Sequence, residues 1–218
     1  MANTKNYDVI LFDLDGTLTD PELGITTCVQ YALKQFGIEV EDRSSLRSFI
    51  GPPLMDSFMK QYGFDQEQAE EAVAKYRERF STVGLFENEV YPGIDLLLDK
   101  LKQQGKILAT ASSKPEKFVV QILEHFGLDG YFDEIAGAEL SVSGRNSKED
   151  VLRYVLDRLG VEDKSSAVLI GDTKFDVQGA KAVGIDCIGV TYGFGEAADF
   201  RAAVAVANSP AELEKILQ

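Results

Sequence analysis

An α/β fold, a doubly wound parallel sheet with an inserted all-helical segment, is what three features of the sequence predict. Short β-rich runs alternate with longer helical patterns, and several of those runs are apolar on both faces. Between Asp20 and about Glu87 the alternation stops and only helical patterns occur. Strands apolar on both sides belong to parallel sheets covered by helices, whereas half-exposed strands alternate apolar with polar.

The first run, DVILFDL (Asp8 to Leu14), passes straight from apolar residues into Asp13 and Asp15. KILATAS (Lys106 to Ser112), FDEIAG (Phe132 to Gly137), AVLIGD (Ala167 to Asp172) and DCIGVTY (Asp186 to Tyr192) supply further strands. Apolar residues at helical spacing mark GIDLLLDKLKQQG (Gly93 to Gly105), EKFVVQILEHFG (Glu116 to Gly127) and KEDVLRYVLDRLG (Lys148 to Gly160) as helices. A glycine closing such a stripe suits the left-handed C-terminal position. His125, the only histidine, is read as a packing residue on its stripe. In the insertion, LGITTCVQYALKQFG, LMDSFMKQYG and DQEQAEEAVAKYRERFSTVG read as helices, with a break at GPP (Gly51 to Pro53). The chain returns to the α/β pattern near VYPG (Val90 to Gly93). The expected domains are residues 1–19 with 88–218, and 20–87.

Composition narrows the function. At 218 residues the chain is long for one domain and short for two full ones, and folding at this length removes roughly 70% of the unfolded chain's surface from water. A formal charge of −14 argues against a nucleic acid polymer as partner, because such binders displace counterions with Lys and Arg. A small anionic ligand stays compatible, given a local cation or backbone N–H groups. Cys28 and Cys187 form no CxxC pair and read as buried free thiols. The N-terminal MANTKNYDV has no apolar core of a signal sequence. No stretch approaches the roughly 20 apolar residues of a membrane span, so a cytoplasmic location away from the membrane is expected.

In an open parallel sheet, ligands bind beyond the carboxyl ends of the strands, where strand order reverses. The first strand delivers Asp13 and Asp15 there. In an extended segment they share one side, and their repulsion raises one pKa unless a divalent cation or a division between nucleophile and proton carrier relieves it. The plainer alternative is a turn at Asp15-Gly16 with Asp13 solvating a strand end. The second strand ends in TASSKP, which sets Ser112 and Ser113 before a helix, as an anion contact or merely a cap. The fourth ends in GDTKFD, placing Asp172 and Asp176 four residues apart where a loop enters a helix. That spacing can set both on one face of its first turn. Lys148, in GRNSKED, is the remaining candidate cation, with a solvated surface lysine as its alternative.

In this order DLDGTLTD, TASSKP, Lys148 and IGDTKFD resemble the four motifs of the haloacid dehalogenase superfamily of Mg-dependent phosphatases, over about Val9 to Tyr192. The insertion resembles the small helical cap of the phosphoglycolate phosphatase-like branch, which includes proteins named 5'-nucleotidases. The resemblance implies a Rossmann-like core and Mg2+ as cofactor. By the same likeness Asp13 is the nucleophile and Asp15 the general acid and base. Ser112 donates to a phosphoryl oxygen, and Lys148 neutralises both the Asp13 side chain and the transferring group. Mg2+ is held by Asp13, the Asp15 carbonyl and Asp172, with Asp176 binding directly or through water. Gly16, Thr17, Ser113 and Lys114 become candidate substrate contacts, as does Arg47 in LRSFIGPPL of the cap. One departure is SKED, which lacks the proline that follows the lysine in many relatives. Lys114 is therefore a competing cation, with Lys148 preferred. The acid at position 15 sets the chain apart from the dehalogenases themselves. The implied reaction is hydrolysis of a small phosphorylated metabolite, phosphoglycolate or a nucleoside monophosphate. A sugar phosphomutase and a non-catalytic protein that binds a phosphate metabolite are the alternatives. Monomer and homodimer both remain open.

Overall fold

The computed structural model describes residues 5–139 and 144–218. The chain divides into two compact units, Met1–Thr19 with Val90–Gln218, and Asp20–Glu89. The short strands β2 (Thr19–Asp20) and β3 (Glu89–Val90) pair with each other where the chain passes from one unit to the other.

The first unit is built on β1 (Val9–Phe12), β4 (Ile107–Pro115), β5 (Glu134–Ala138), β6 (Ala167–Gly171), β7 (Asp186–Val190) and β8 (Ala205–Ala207). They form one parallel sheet in the order β5-β4-β1-β6-β7-β8. The chain thus builds outward from β1 in one direction and then, starting with β6, in the other. That reversal creates a crevice at the carboxyl ends of β1 and its neighbours. Phe12 stands level with Thr110 and with Ile170, so Asp13, Ser112 and Asp172 all fall one or two residues past a common line.

Every residue of β1 and of β6 is buried, which explains their unbroken apolar sequence. Val9 and Leu11 join Ala109, Leu169, Val151, Leu152 and Val155 of α6 (Lys148–Arg158), and Val177 and Ala180 of α7 (Lys174–Val183), in one core. On the opposite face of β1, Ile10 and Phe12 are fully buried. Removing such a side chain from a core costs about 2–5 kcal/mol. The helices α4 (Ile94–Gln103) and α5 (Glu116–Phe126) cover further sheet surface, and α8 (Pro210–Leu217) ends the chain. On α5 the buried stripe is Phe118, Val119, Ile122 and Leu123. His125 lies beside it and is exposed, which corrects its reading as a packing residue. Its ring sits edge-on to Phe126, 4.9 Å between centroids. Cys28 and Cys187 are both buried thiols outside any disulfide.

The second unit holds α1 (Glu22–Gln35), α2 (Leu54–Tyr62) and α3 (Gln66–Arg79). Gly63, at φ +68°, ends α2, and a reciprocal Asp65–Gln68 cap begins α3. Phe58 packs edge-on against Phe49 and stacks on Phe64, with centroids 5.0 and 5.9 Å apart. Arg79 closes the unit with two hydrogen bonds to Glu87, at 2.6 and 2.8 Å. Among the described residues, no helix is long and apolar enough to cross a membrane.

Candidate active site

β1 stops as a strand at Phe12, although the Asp13 N–H still donates to the Ile170 carbonyl at 2.9 Å. The chain then turns so tightly that the amides of Thr17, Leu18 and Thr19 all donate to the Leu14 carbonyl. Gly16 makes the turn at φ +84°, a conformation that disfavours a side chain. A Cβ there would also collide with the Asp172 carboxylate. Both acids lie past the end of β1, at Phe12, and not within the strand. They leave the backbone on either side of Leu14 and meet different cations.

Lys148 is the first residue of α6, behind the Ser147–Asp150 cap. Its ammonium donates to the Ala111 carbonyl at 2.8 Å and stands 2.9 Å from Asp13 Oδ1 and 2.8 Å from Asp176 Oδ1. Gly179 of α7 makes room for its stem, since a Cβ there would press on Lys148 Cγ at 2.6 Å. Burial works against the ammonium, but Asp13 and Asp176 outweigh it and raise its pKa. Lys114, the competing cation, pairs with Asp15 Oδ2 at 2.7 Å. Each lysine of the sequence analysis thus serves a different acid.

Asp172 lies just outside α7 and Asp176 at its third position. Both amide and hydroxyl of Thr173 donate to Asp176 Oδ2, at 3.0 and 2.9 Å. They do not share a helical face, because Thr173 caps the helix between them. Carboxylate oxygens of Asp13, Asp172 and Asp176 nevertheless lie within 4.8 Å of one another, and all three residues are buried. Burial, opposed by Lys148 and reinforced by Asp176, lifts Asp13 to about 6. Burial, then Asp176 and Asp13, raise Asp172 well above the ordinary carboxylate range.

Ser112 is buried, and its hydroxyl accepts from the Lys114 amide at 3.2 Å. Ser113 is exposed. The hydroxyl of Thr17 is buried without a hydrogen-bond partner. Arg47 lies in the helical unit, where Glu22 accepts from its guanidinium at 2.8 Å.

Sequence reasoning missed the loop after β7. The Tyr192 hydroxyl donates to the Thr17 carbonyl at 3.1 Å, and the Phe194 N–H donates to Asp172 Oδ2 at 2.8 Å. The available signal was the pair of glycines in TYGFGE following a strand.

The three clustered acids fit a divalent cation. They are hard oxygen donors, and ionised they outnumber the single Lys148 ammonium by two charges. Asp172 Oδ1 is buried with no hydrogen-bond partner. Such a surplus destabilises a low-dielectric site unless a cation or protons offset it.

A parallel sheet of this order, with acids and lysines gathered at the carboxyl ends of its strands, defines a doubly wound, Rossmann-like α/β protein with its site at that edge. The family model for haloacid dehalogenase-like hydrolases matches residues 10–190, and the chain belongs to that family. It is an enzyme of the phosphatase kind. It is 48% identical to a Pseudomonas aeruginosa protein named 5'-nucleotidase, over 90% of this chain and 88% of that one. It is 31% identical to phosphoglycolate phosphatase 1 of the same organism, over 88% of this chain and 72% of the other. A crystal structure of a predicted phosphatase from Clostridium acetobutylicum superposes with a TM-score of 0.91 at 48% identity, covering 96% of this chain and 97% of that one.

Proposed function

We propose that the enzyme is a Mg2+-dependent phosphomonoester hydrolase that acts through an aspartyl-phosphate on Asp13. The observation that carries this reading is the Lys148 ammonium shared by Asp13 and Asp176 beside the unpartnered Asp172 Oδ1. It favours a nucleophile whose charge is balanced yet whose second oxygen is not tied to the lysine.

In this reading the Asp13 carboxylate attacks phosphorus, dividing one displacement into two easier ones. Lys148 keeps Asp13 ionised and offsets the charge on the phosphoryl oxygens, and the Ser112 hydroxyl donates to one of them. Asp15, oriented by Lys114, delivers a proton to the leaving oxygen and afterwards takes one from the attacking water. Mg2+ held by Asp13, Asp172 and the Asp15 carbonyl, with Asp176 beside them, would supply the remaining positive charge. Gly16, Thr17, Ser113 and Lys114 line the substrate side, and Arg47 is the contact for a second anionic group.

The substrate proposed is a nucleoside monophosphate, because identity to the relative named 5'-nucleotidase, 48%, exceeds the 31% to the one named phosphoglycolate phosphatase. Phosphate release with Mg2+ across nucleoside monophosphates, phosphoglycolate, sugar phosphates and pyrophosphate tests it. A higher kcat/KM for a nucleoside monophosphate than for every other compound supports the proposal. Preference for phosphoglycolate or a sugar phosphate overturns the substrate, and no Mg2+-dependent release from any compound overturns the reaction.

A further inference from the structure

The segment Tyr192–Gly195 takes no part in the chemistry proposed above, yet it is built against two of its components. Its Phe194 N–H donates to Asp172 Oδ2, while Asp172 Oδ1 stays buried without a hydrogen-bond partner. A Cβ on Gly193 would collide with both the Gly16 carbonyl oxygen and Asp172 Oδ2, and one on Gly195 with the Asp172 carbonyl oxygen. Neither glycine has positive φ, so closeness of approach, not backbone freedom, requires them. Tyr192 anchors the segment, with its hydroxyl on the Thr17 carbonyl and its ring edge-on to Tyr91 at 4.9 Å.

A carboxylate at a strand end has two equivalent oxygens and a χ2 torsion with broad, two-fold preferences. Occupying one oxygen with a fixed backbone donor removes that freedom and leaves the other to a ligand, as partners of metal-binding groups commonly do. We infer that Tyr192–Gly195 is a positioning loop: Phe194 N–H holds Asp172 Oδ2, and Gly193 lets the loop approach closely enough for Oδ1 to face the cation. The inference rests on the reading of Asp172 as a metal ligand.

Mn2+ binding, measured by titration calorimetry on the whole protein without substrate, tests it, with thermal unfolding in EDTA identifying folded variants. Gly193→Ala, which crowds the carboxylate, and Phe194→Pro, which deletes the donor, each weaken Mn2+ binding at least about tenfold, the loss typical of a metal site's supporting contacts. Asp172→Asn separates the two readings. If that variant binds Mn2+ as tightly as the unaltered protein, the metal assignment fails. If it loses binding while folded Gly193→Ala and Phe194→Pro bind normally, the loop inference alone is overturned. Should Phe194→Pro not fold, Gly193→Ala decides.

Discussion

Asp13 shares the Lys148 ammonium with Asp176, whereas Asp15 is held by Lys114. Of the charges acting on Asp13, Lys148 and Asp176 outweigh Asp15, so two acids separated by one residue are electrostatically distinct. Each acid thus has its own cation, and the roles proposed for them differ, Asp13 as the nucleophile and Asp15 as the proton carrier. Asp15→Asn is expected to lower kcat/KM by about 10²–10⁴-fold on a nucleoside monophosphate, the usual worth of a general acid–base group. The loss on p-nitrophenyl phosphate should be smaller, because that leaving group departs without a proton. Steady-state kcat/KM on both substrates, which reports transfer to Asp13 and not hydrolysis of the shared intermediate, checks this, and equal losses in kcat/KM would remove Asp15 from leaving-group protonation.

Among the elements, α6 and α7 carry Lys148 and Asp176 to the sheet's edge, and Gly179 is where α7 admits the lysine stem. Alanine is the better helix former by about 1 kcal/mol. Gly179→Ala should nevertheless cut kcat at least about tenfold, because the new methyl meets the near end of a buried side chain that cannot swing away. Unchanged kcat with raised Tm would mean that helix propensity alone governs the position. The strands that deliver these groups were legible, because β1 and β6 are buried on both faces and read as unbroken apolar runs. β8 was not, since it is three residues long with Val206 exposed, and it lacks the apolar signal of an inner strand. Spacing located Asp13, Asp15, Asp172 and Asp176, and the family resemblance paired Lys148 with Asp13, but neither gave the Lys114–Asp15 pair. Which lysine meets which acid depends on the turn at Gly16 and the start of α6. The role of Phe194 is a backbone N–H, which leaves no mark in residue type.

For the molecule as a whole, a net charge of −14 is concentrated further by three buried acids facing one buried lysine. The raised pKa values of Asp13 and Asp172 mean that, without metal, these two acids hold protons in the folded protein to a higher pH than in the unfolded chain. Asp13, at about 6 when folded, contributes stability that is present below its unfolded pKa and lost as pH rises through about 6. Mg2+ competes with those protons for the same oxygens. The rise in Tm on adding Mg2+ to EDTA-treated protein should accordingly be larger at about pH 7.5 than at about pH 5. Differential scanning calorimetry at both values checks the sign, and an equal or larger rise at the lower pH would contradict competition at these acids.

The most direct measurement is p-nitrophenyl phosphate turnover with Mg2+ by Asp13→Asn beside the unaltered protein, with circular dichroism to establish that both are folded. The expected result is a loss of at least about 10³-fold in kcat with the fold retained, as removal of a nucleophile requires. Full turnover by the folded variant would contradict the assignment of Asp13 as the residue that attacks phosphorus.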